Sequence, residues 1–260
     1  MKSSTLRAAL VTVAATSVAL SGCQGPADGS AHGKAEWSYE GANGPSHWGE
    51  LSPDYAMARD GREQSPIDIV PGLAKRARMV PLEFVYESTT IDVMNNGHTV
   101  EDDYHGGGTL NVDGHEYRLA QFHFHAPSEH TIDGDHFPME MHLVHKDDQG
   151  ALAVVAVMFE HGDPNPALAK LEEFFPTQPG RAERVDGMTV NASDLLPSSP
   201  AHYRYDGSLT TPPCTEGVKW FVMRQPVAVS EGQVQLFHAI IDDNNRPTQP
   251  LNGRVVIATR

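Results

Sequence analysis

The chain has 260 residues, with 34 acidic and 19 basic side chains and a formal net charge of −15 at pH 7. This excess of negative charge argues against binding to nucleic acid or directly to an anionic lipid surface. The length, together with a composition that shows no second class or internal repeat along the chain, predicts one folded domain with a sizeable core.

The first residues have the pattern of an export signal. Lys2 and Arg7 precede a small apolar run that is too short to span a bilayer. We therefore predict that residues 1–22 are removed as a signal peptide. Leu20-Ser21-Gly22-Cys23 resembles a lipobox, which predicts a lipid on Cys23 and an exported protein that touches a membrane only through that lipid, in the periplasm or at the cell surface. The alternative is an ordinary secretory signal that happens to contain a cysteine.

The remaining chain is predicted to be a linker followed by a strand-rich domain. Residues 23–36 are rich in Gly and Ala without apolar periodicity, which is typical of a flexible linker, and the folded domain is expected over residues 37–260. Asn165 with Pro166, and Ser230 with Gln233, predict two helix starts. Short apolar or alternating runs predict strands at residues 81–86, 117–125, 139–145, 151–159 and 218–223. The pattern favours an α+β fold with a large sheet and a few peripheral helices.

Histidines and hydrogen-bonding side chains are spaced for a metal site. Alternation along a strand places Gln121, His123 and His125 on one face, and it likewise puts Glu140 and His142 together. Three imidazoles from two strands match a catalytic metal site with an open fourth position. Gln121 and Glu140 each lie two residues before a histidine, where they can fix the orientation of its ring.

Two other classes of protein remain open from these residues alone. His123-Phe124-His125 with Glu129 also resembles the first metal motif of the cupins, in which Glu129 would be a ligand of an oxygenase or isomerase. A binding module without catalysis is the other alternative.

A longer pattern resembles the α-class carbonic anhydrases. Ser128-Glu129-His130-Thr131-Ile132, Phe137 and Glu140-Met141-His142-Leu143-Val144 match that family's signature. Further segments in the family's order are NGPSHWGEL at 43–51, QSPIDI at 64–69, NNGH at 95–98, GSLTTPP at 207–213 and NNRPTQPLNGR at 244–254. The resemblance implies that residues 37–260 are a catalytic domain with a central, mainly antiparallel sheet and short peripheral helices. It also implies a monomer or weak dimer that interconverts carbon dioxide and bicarbonate.

The resemblance implies a role for each matching residue at the metal. His123, His125 and His142 match the ligands of Zn²⁺, with Gln121 and Glu140 as their orienting partners. Hydroxide on the zinc would attack carbon dioxide. Thr210 matches the residue that accepts a hydrogen bond from this hydroxide and donates its own proton to Glu129.

Other matching residues would bind substrate or move protons. Thr211 would position bicarbonate. His98 matches the proton shuttle, and Tyr39 and Asn95 match residues that order the intervening water. The apolar wall for carbon dioxide would be formed by Val144, Val154, Leu209, Val218 and Trp220.

The cysteines depart from the family's pattern. Many exported members have a disulfide that joins a position upstream of the QSPI segment to one after TTPP. Cys214 stands at the second position, whereas Arg59 stands at the first. The resemblance therefore implies that the loop carrying Thr210 and Thr211 lacks this cross-link.

Overall fold

The computed structural model describes residues 35–260, which lie in one compact unit. The predicted signal peptide, the lipid site at Cys23 and most of the predicted linker lie outside the described residues. Within residues 35–260, no helix is both long and apolar enough to cross a membrane.

Strands dominate the described part of the chain, and the helices are short. The strands are β1 Asp68–Ile69, β2 Lys75–Ala77, β3 Glu83–Val85, β4 Thr89–Asn95, β5 Val100–Asp103, β6 Thr109–Val112, β7 His115–His125, β8 Thr131–Ile132, β9 Asp135–His136, β10 Met139–Lys146, β11 Leu152–His161, β12 Arg181–Val190, β13 His202–Ser208, β14 Glu216–Met223, β15 Val227–Val229 and β16 Ile257–Thr259. The α-helices are α1 Trp48–Leu51, α2 Met57–Asp60, α3 Pro166–Glu172 and α4 Glu231–Ile241.

One large sheet organises the domain. Its thirteen strands include a continuous path in the order β12-β4-β5-β7-β10-β11-β14-β13-β16-β2, and β1, β8 and β9 form a separate small sheet. Most neighbours in the large sheet are antiparallel, while β11 with β14, β11 with β15, and β16 with β2 are parallel. The predicted α+β fold with a large, mainly antiparallel sheet is confirmed.

Strand β11 shows why the central run of the sequence is apolar at almost every position. Val155 and Val157 pack into one hydrophobic cluster, while Val154, Ala156 and Met158 pack into a second. Because successive side chains of a strand point to opposite faces, β11 contributes to a core on both sides of the sheet. The prediction that this strand is covered on both faces is confirmed.

Both predicted helix starts are present, and one side chain links them. The Oδ1 atom of Asn165 accepts hydrogen bonds from the first-turn amides of α3, and Ser230 and Gln233 form a capping box at the start of α4. Gln233 Oε1 also accepts from Asn165 N at 2.8 Å, and Gln233 Nε2 donates to Asn165 O at 3.0 Å. The two helix starts are thus held against each other.

Asp102 in β5 is a buried carboxyl group with incomplete hydrogen bonding. Its Oδ2 accepts from Asp92 N at 3.2 Å, whereas its Oδ1 has no partner within the described residues. Burial raises the pKa of Asp102 to about 7, because the charged form is poorly solvated there. The folded protein therefore holds this proton more tightly than the unfolded chain does.

We expect Asp102→Asn to reduce the loss of stability at alkaline pH. A pKa that is raised in the folded state lowers stability as pH increases from the unfolded value of about 4 towards the folded value of about 7. The free energy of unfolding of the variant, relative to the parent, should rise by about 2 kcal/mol between about pH 5.5 and about pH 8.5. Urea unfolding at both pH values measures this. Asp103→Asn, at an exposed residue of the same strand, is the control. If the free energy of unfolding depends on pH equally in both variants, the raised pKa of Asp102 is contradicted.

Candidate metal and catalytic site

Pairing between β7 and β10 brings the three predicted ligands together. His142 lies opposite His123, and Glu140 lies opposite His125. The ring centroids are 5.1 Å apart for His123 and His125, 5.3 Å for His123 and His142, and 4.6 Å for His125 and His142. One ring nitrogen from each histidine lies within 4.8 Å of the others.

Hydrogen bonds select which ring nitrogens face the centre of this cluster. His123 Nδ1 is 2.8 Å from Gln121 Oε1, His125 Nδ1 is 2.8 Å from the carbonyl oxygen of Asn244, and His142 Nε2 is 2.7 Å from Glu140 Oε1. Each acceptor engages an N–H group and leaves the lone pair on the other nitrogen. The nitrogens left for a metal are thus Nε2 of His123, Nε2 of His125 and Nδ1 of His142.

Burial favours the metal-binding form of these imidazoles. His125 Nε2 is buried and has no hydrogen-bond partner among residues 35–260. Burial holds the pKa of His123 well below its ordinary value, helped by the neighbouring imidazoles, and it also lowers the pKa of His125. A neutral imidazole has the lone pair that a metal needs. Three such nitrogens fit a Zn²⁺ site that keeps one position open.

Glu140 is fixed by four hydrogen bonds. Its Oε2 accepts from the backbone amides of Glu129 and His130, and its Oε1 contacts His130 Nδ1 and His142 Nε2. Burial alone would raise the pKa of Glu140, but His130 and His142 against the carboxylate hold it well below its ordinary value. His130 in turn contacts the hydroxyl group of Tyr205 through Nε2 at 2.6 Å. His130 thus links Glu140 to Tyr205, a role that the sequence pattern did not predict although His130 stands directly after Glu129.

Glu129 lies beside the histidines but is not one of the clustered metal-binding groups. Its Oε1 accepts from Arg246 N at 2.9 Å, while its Oε2 is buried without a hydrogen-bond partner in the described part of the chain. That oxygen is 3.6 Å from His125 Nε2 and 3.9 Å from His142 Nδ1. Thr210 is buried in the loop after β13, and no hydrogen bond within residues 35–260 joins it to Glu129. The proposed link between these two residues stays a prediction.

A cavity of about 120 Å³ opens beside His123 and His125. Besides these two histidines, its wall includes four predicted site residues, namely Tyr39, His98, Gln121 and Thr211. The His98 ring stacks on Trp37 with a centroid distance of 3.7 Å and an interplanar angle of 10°. Burial lowers the pKa of His98.

Asn95 does not line this cavity, contrary to the water-ordering role predicted for it. Asn95 is fully buried, donates through Nδ2 to the carbonyl oxygen of Pro176, and accepts from Gly97 N through Oδ1. Its neighbour Asn96 lines the cavity instead. Glu101 is a second cavity residue that sequence analysis missed, because a polar residue in an alternating strand gives no local sign of what it faces.

The five predicted apolar residues lie in one cluster. Val154, Val218 and Trp220 are buried there, and Val144 and Leu209 pack against them. In the sheet, Val144 pairs with Val154, which pairs with Trp220. The Trp220 ring is 4.9 Å from the His142 ring, and its Nε1 donates to the carbonyl oxygen of Ser208. This apolar wall is therefore contiguous with the metal-binding side chains.

The loop that carries Thr210 and Thr211 is held by backbone hydrogen bonds. Cys214 N donates to Thr211 O at 2.8 Å, and Leu209 N donates to Thr215 O at 3.0 Å. Cys214 is a buried free cysteine, and burial raises the pKa of its thiol to about 11. Such a thiol is protonated at neutral pH and unreactive.

Comparisons with known proteins identify the family of this fold and site. Residues 43–260 match the model for the eukaryotic-type carbonic anhydrases. A carbonic anhydrase of Klebsiella pneumoniae is 48% identical over 227 residues, which cover 86% of this chain and 91% of the relative. One of Pectobacterium atrosepticum is 45% identical over 229 residues, covering 88% and 93%.

A solved structure agrees with these relatives. The α-carbonic anhydrase of Thermovibrio ammonificans, in complex with the inhibitor sulfanilamide, superposes with a TM-score of 0.84 at 46% identity and covers 86% of this chain and 100% of that one. These matches decide against the cupin alternative. The chain belongs to the eukaryotic-type, or α-class, carbonic anhydrases, a family of enzymes.

Proposed function

We propose that this enzyme catalyses the reversible hydration of carbon dioxide to bicarbonate and a proton, with Zn²⁺ held by His123, His125 and His142. The observation that carries the proposal is the set of three inward ring nitrogens, each selected by a hydrogen bond on the opposite side of its ring. Its closest chemical match is a three-histidine zinc site with an open position. The relatives named carbonic anhydrase support the reaction.

Bound zinc would supply one piece of chemistry, lowering the pKa of a water molecule from about 16 to about 7. The protein's residues then orient the reactants. The Thr210 hydroxyl group would accept a hydrogen bond from the attacking oxygen and donate its own proton to Glu129 Oε2, the acceptor that lacks a partner. Thr211, on the cavity wall, would position bicarbonate.

The apolar wall suits carbon dioxide as substrate. Val144, Val154, Leu209, Val218 and Trp220 give a small uncharged molecule a surface without competing hydrogen-bond donors. Because Trp220 touches the His142 ring, substrate on this wall would lie next to the metal.

Stopped-flow measurement of carbon dioxide hydration tests the proposed function. The zinc-loaded protein should hydrate carbon dioxide rapidly, treatment with a chelator should abolish the activity, and added zinc should restore it. Rapid hydration that survives complete removal of metal would exclude the proposed mechanism, and a stoichiometric zinc protein without hydration would exclude the reaction.

His98 is proposed to carry the proton away from the site. An imidazole has a pKa close to that of zinc-bound water, and His98 lines the cavity beside Tyr39 and Asn96. We expect His98→Ala to lower kcat by about tenfold in weakly buffered solution while kcat/KM for carbon dioxide changes little. Added imidazole should restore kcat. The matched control is His105→Ala, at an exposed histidine. If His98→Ala lowers kcat/KM and imidazole does not restore activity, His98 is not the proton shuttle.

We propose that the protein is exported and anchored through a lipid on Cys23. The support is the charged, apolar and small-residue pattern of residues 1–23. Mass spectrometry of the mature protein from cells should show cleavage before Cys23 and an acylated amino-terminal residue. An unmodified Cys23, or a retained signal, would exclude the anchor.

A further inference from the structure

Glu101 places a carboxylate on the wall of the catalytic cavity. It lies in β5 opposite His123 of β7, and His123 lies opposite His142 of β10. Residues that pair across a sheet point to the same face, so Glu101, His123 and His142 form one row across three neighbouring strands. Neighbouring strands are about 4.8 Å apart, so Glu101 lies beside His123, a proposed metal ligand, and both line the same cavity.

The carboxylate of Glu101 differs in charge from the other groups on the cavity wall. Among the described residues that line the cavity, Glu101 is the one acidic group, and the others are aromatic, amide, hydroxyl and imidazole side chains. Glu101 is half-buried, and its carboxylate makes no hydrogen bond or ion pair within residues 35–260. A charge without a partner in a narrow, poorly solvated cavity acts on whatever enters it.

We propose that Glu101 determines the enzyme's selectivity between neutral and anionic ligands, by weakening the binding of bicarbonate and inhibitory anions without affecting carbon dioxide. The inference rests on the proposed function for the identity of the two substrates. Carbon dioxide carries no net charge, so a nearby carboxylate affects its binding much less than it affects the binding of an anion. Bicarbonate is repelled, and so is any small inorganic anion that competes for the open metal position.

Glu101→Gln tests the inference because it removes the charge and keeps the shape. The KM for bicarbonate in the dehydration direction should fall about fivefold, while the KM for carbon dioxide in the hydration direction should stay within about twofold. The dissociation constant of thiocyanate should fall by a factor similar to that for bicarbonate. This constant is measured from the visible spectrum of the cobalt-loaded protein, which needs no turnover.

Two further variants separate position from net charge. Asp103→Asn removes the same charge two residues along β5, at an exposed residue, and should leave both constants nearly unchanged. Glu101→Asp keeps a charge near the cavity and should retain most of the discrimination. High salt should reduce the difference in the KM for bicarbonate between Glu101→Gln and the parent, because ions screen the repulsion.

The outcomes are distinct for the two proposals. If Glu101→Gln leaves the thiocyanate constant and the KM for bicarbonate unchanged, or if Asp103→Asn shifts them as much, Glu101 has no selective role. If the parent protein hydrates no carbon dioxide but Glu101→Gln still tightens thiocyanate binding, the selectivity stands and the proposed reaction fails.

Discussion

Replacing His123 with alanine is expected to remove bound zinc and to reduce carbon dioxide hydration by ~1,000-fold or more, because two ligands remain where a catalytic zinc site needs three. His123 is the partly exposed member of the cluster, so its removal leaves the buried core intact. Zinc content after dialysis and stopped-flow hydration measure the two effects. The far-ultraviolet circular dichroism spectrum should match that of the parent.

His115→Ala is the matched control for this experiment. His115 lies at the start of the same strand, β7, where it is exposed and 2.8 Å from Asp147. It should keep zinc and activity. A His123→Ala protein that retains one zinc ion and full activity would refute the proposed metal site.

Replacing Thr210 with valine is expected to reduce kcat/KM for carbon dioxide by about 100-fold, comparable with the loss of one positioned hydrogen-bonding group in other active sites. Valine keeps the shape but can neither accept a hydrogen bond from the attacking oxygen nor donate one to Glu129. Because Thr210 is not in the metal cluster, zinc content should remain one per chain. Stopped-flow hydration and metal analysis on the same samples measure both quantities.

Thr210→Ser distinguishes the hydroxyl group from general packing. Serine retains the hydroxyl and should keep most of the activity. If Thr210→Ser and Thr210→Val lose activity equally, the residue acts through packing and the proposed link to Glu129 is wrong. If Thr210→Val is fully active, orientation of the attacking oxygen does not depend on this side chain.

Several features were readable from local sequence because local geometry produces them. Alternation along β7 put Gln121, His123 and His125 on one face, and the continuous apolar run of β11 indicated a strand covered on both sides. The cap at Asn165 and the capping box at Ser230 marked the starts of α3 and α4, the two longest helices within residues 35–260. In each case the residues that make the contact are only a few positions apart.

Prediction from the local sequence was wrong where two adjacent residues of the same type lie in different surroundings. Asn95 and Asn96 are adjacent, yet the turn after β4 buries the first and leaves the second on the cavity wall. No periodic pattern distinguishes two adjacent asparagines at a strand end. The same limit applies to Glu101, because its place on the cavity wall depends on the pairing of β5 with β7.

The sequence by itself determined which side chains could form a metal site. Strand alternation puts His123 and His125 on one face of their strand, and it puts His142 on the same face as Glu140. Only the tertiary structure decided how they meet. The register of β7 with β10 sets His142 opposite His123, the carbonyl of Asn244 orients His125, and Arg246 N holds Glu129. These partners are more than 100 residues apart in the last two cases, so their contact depends on the packing of the whole sheet.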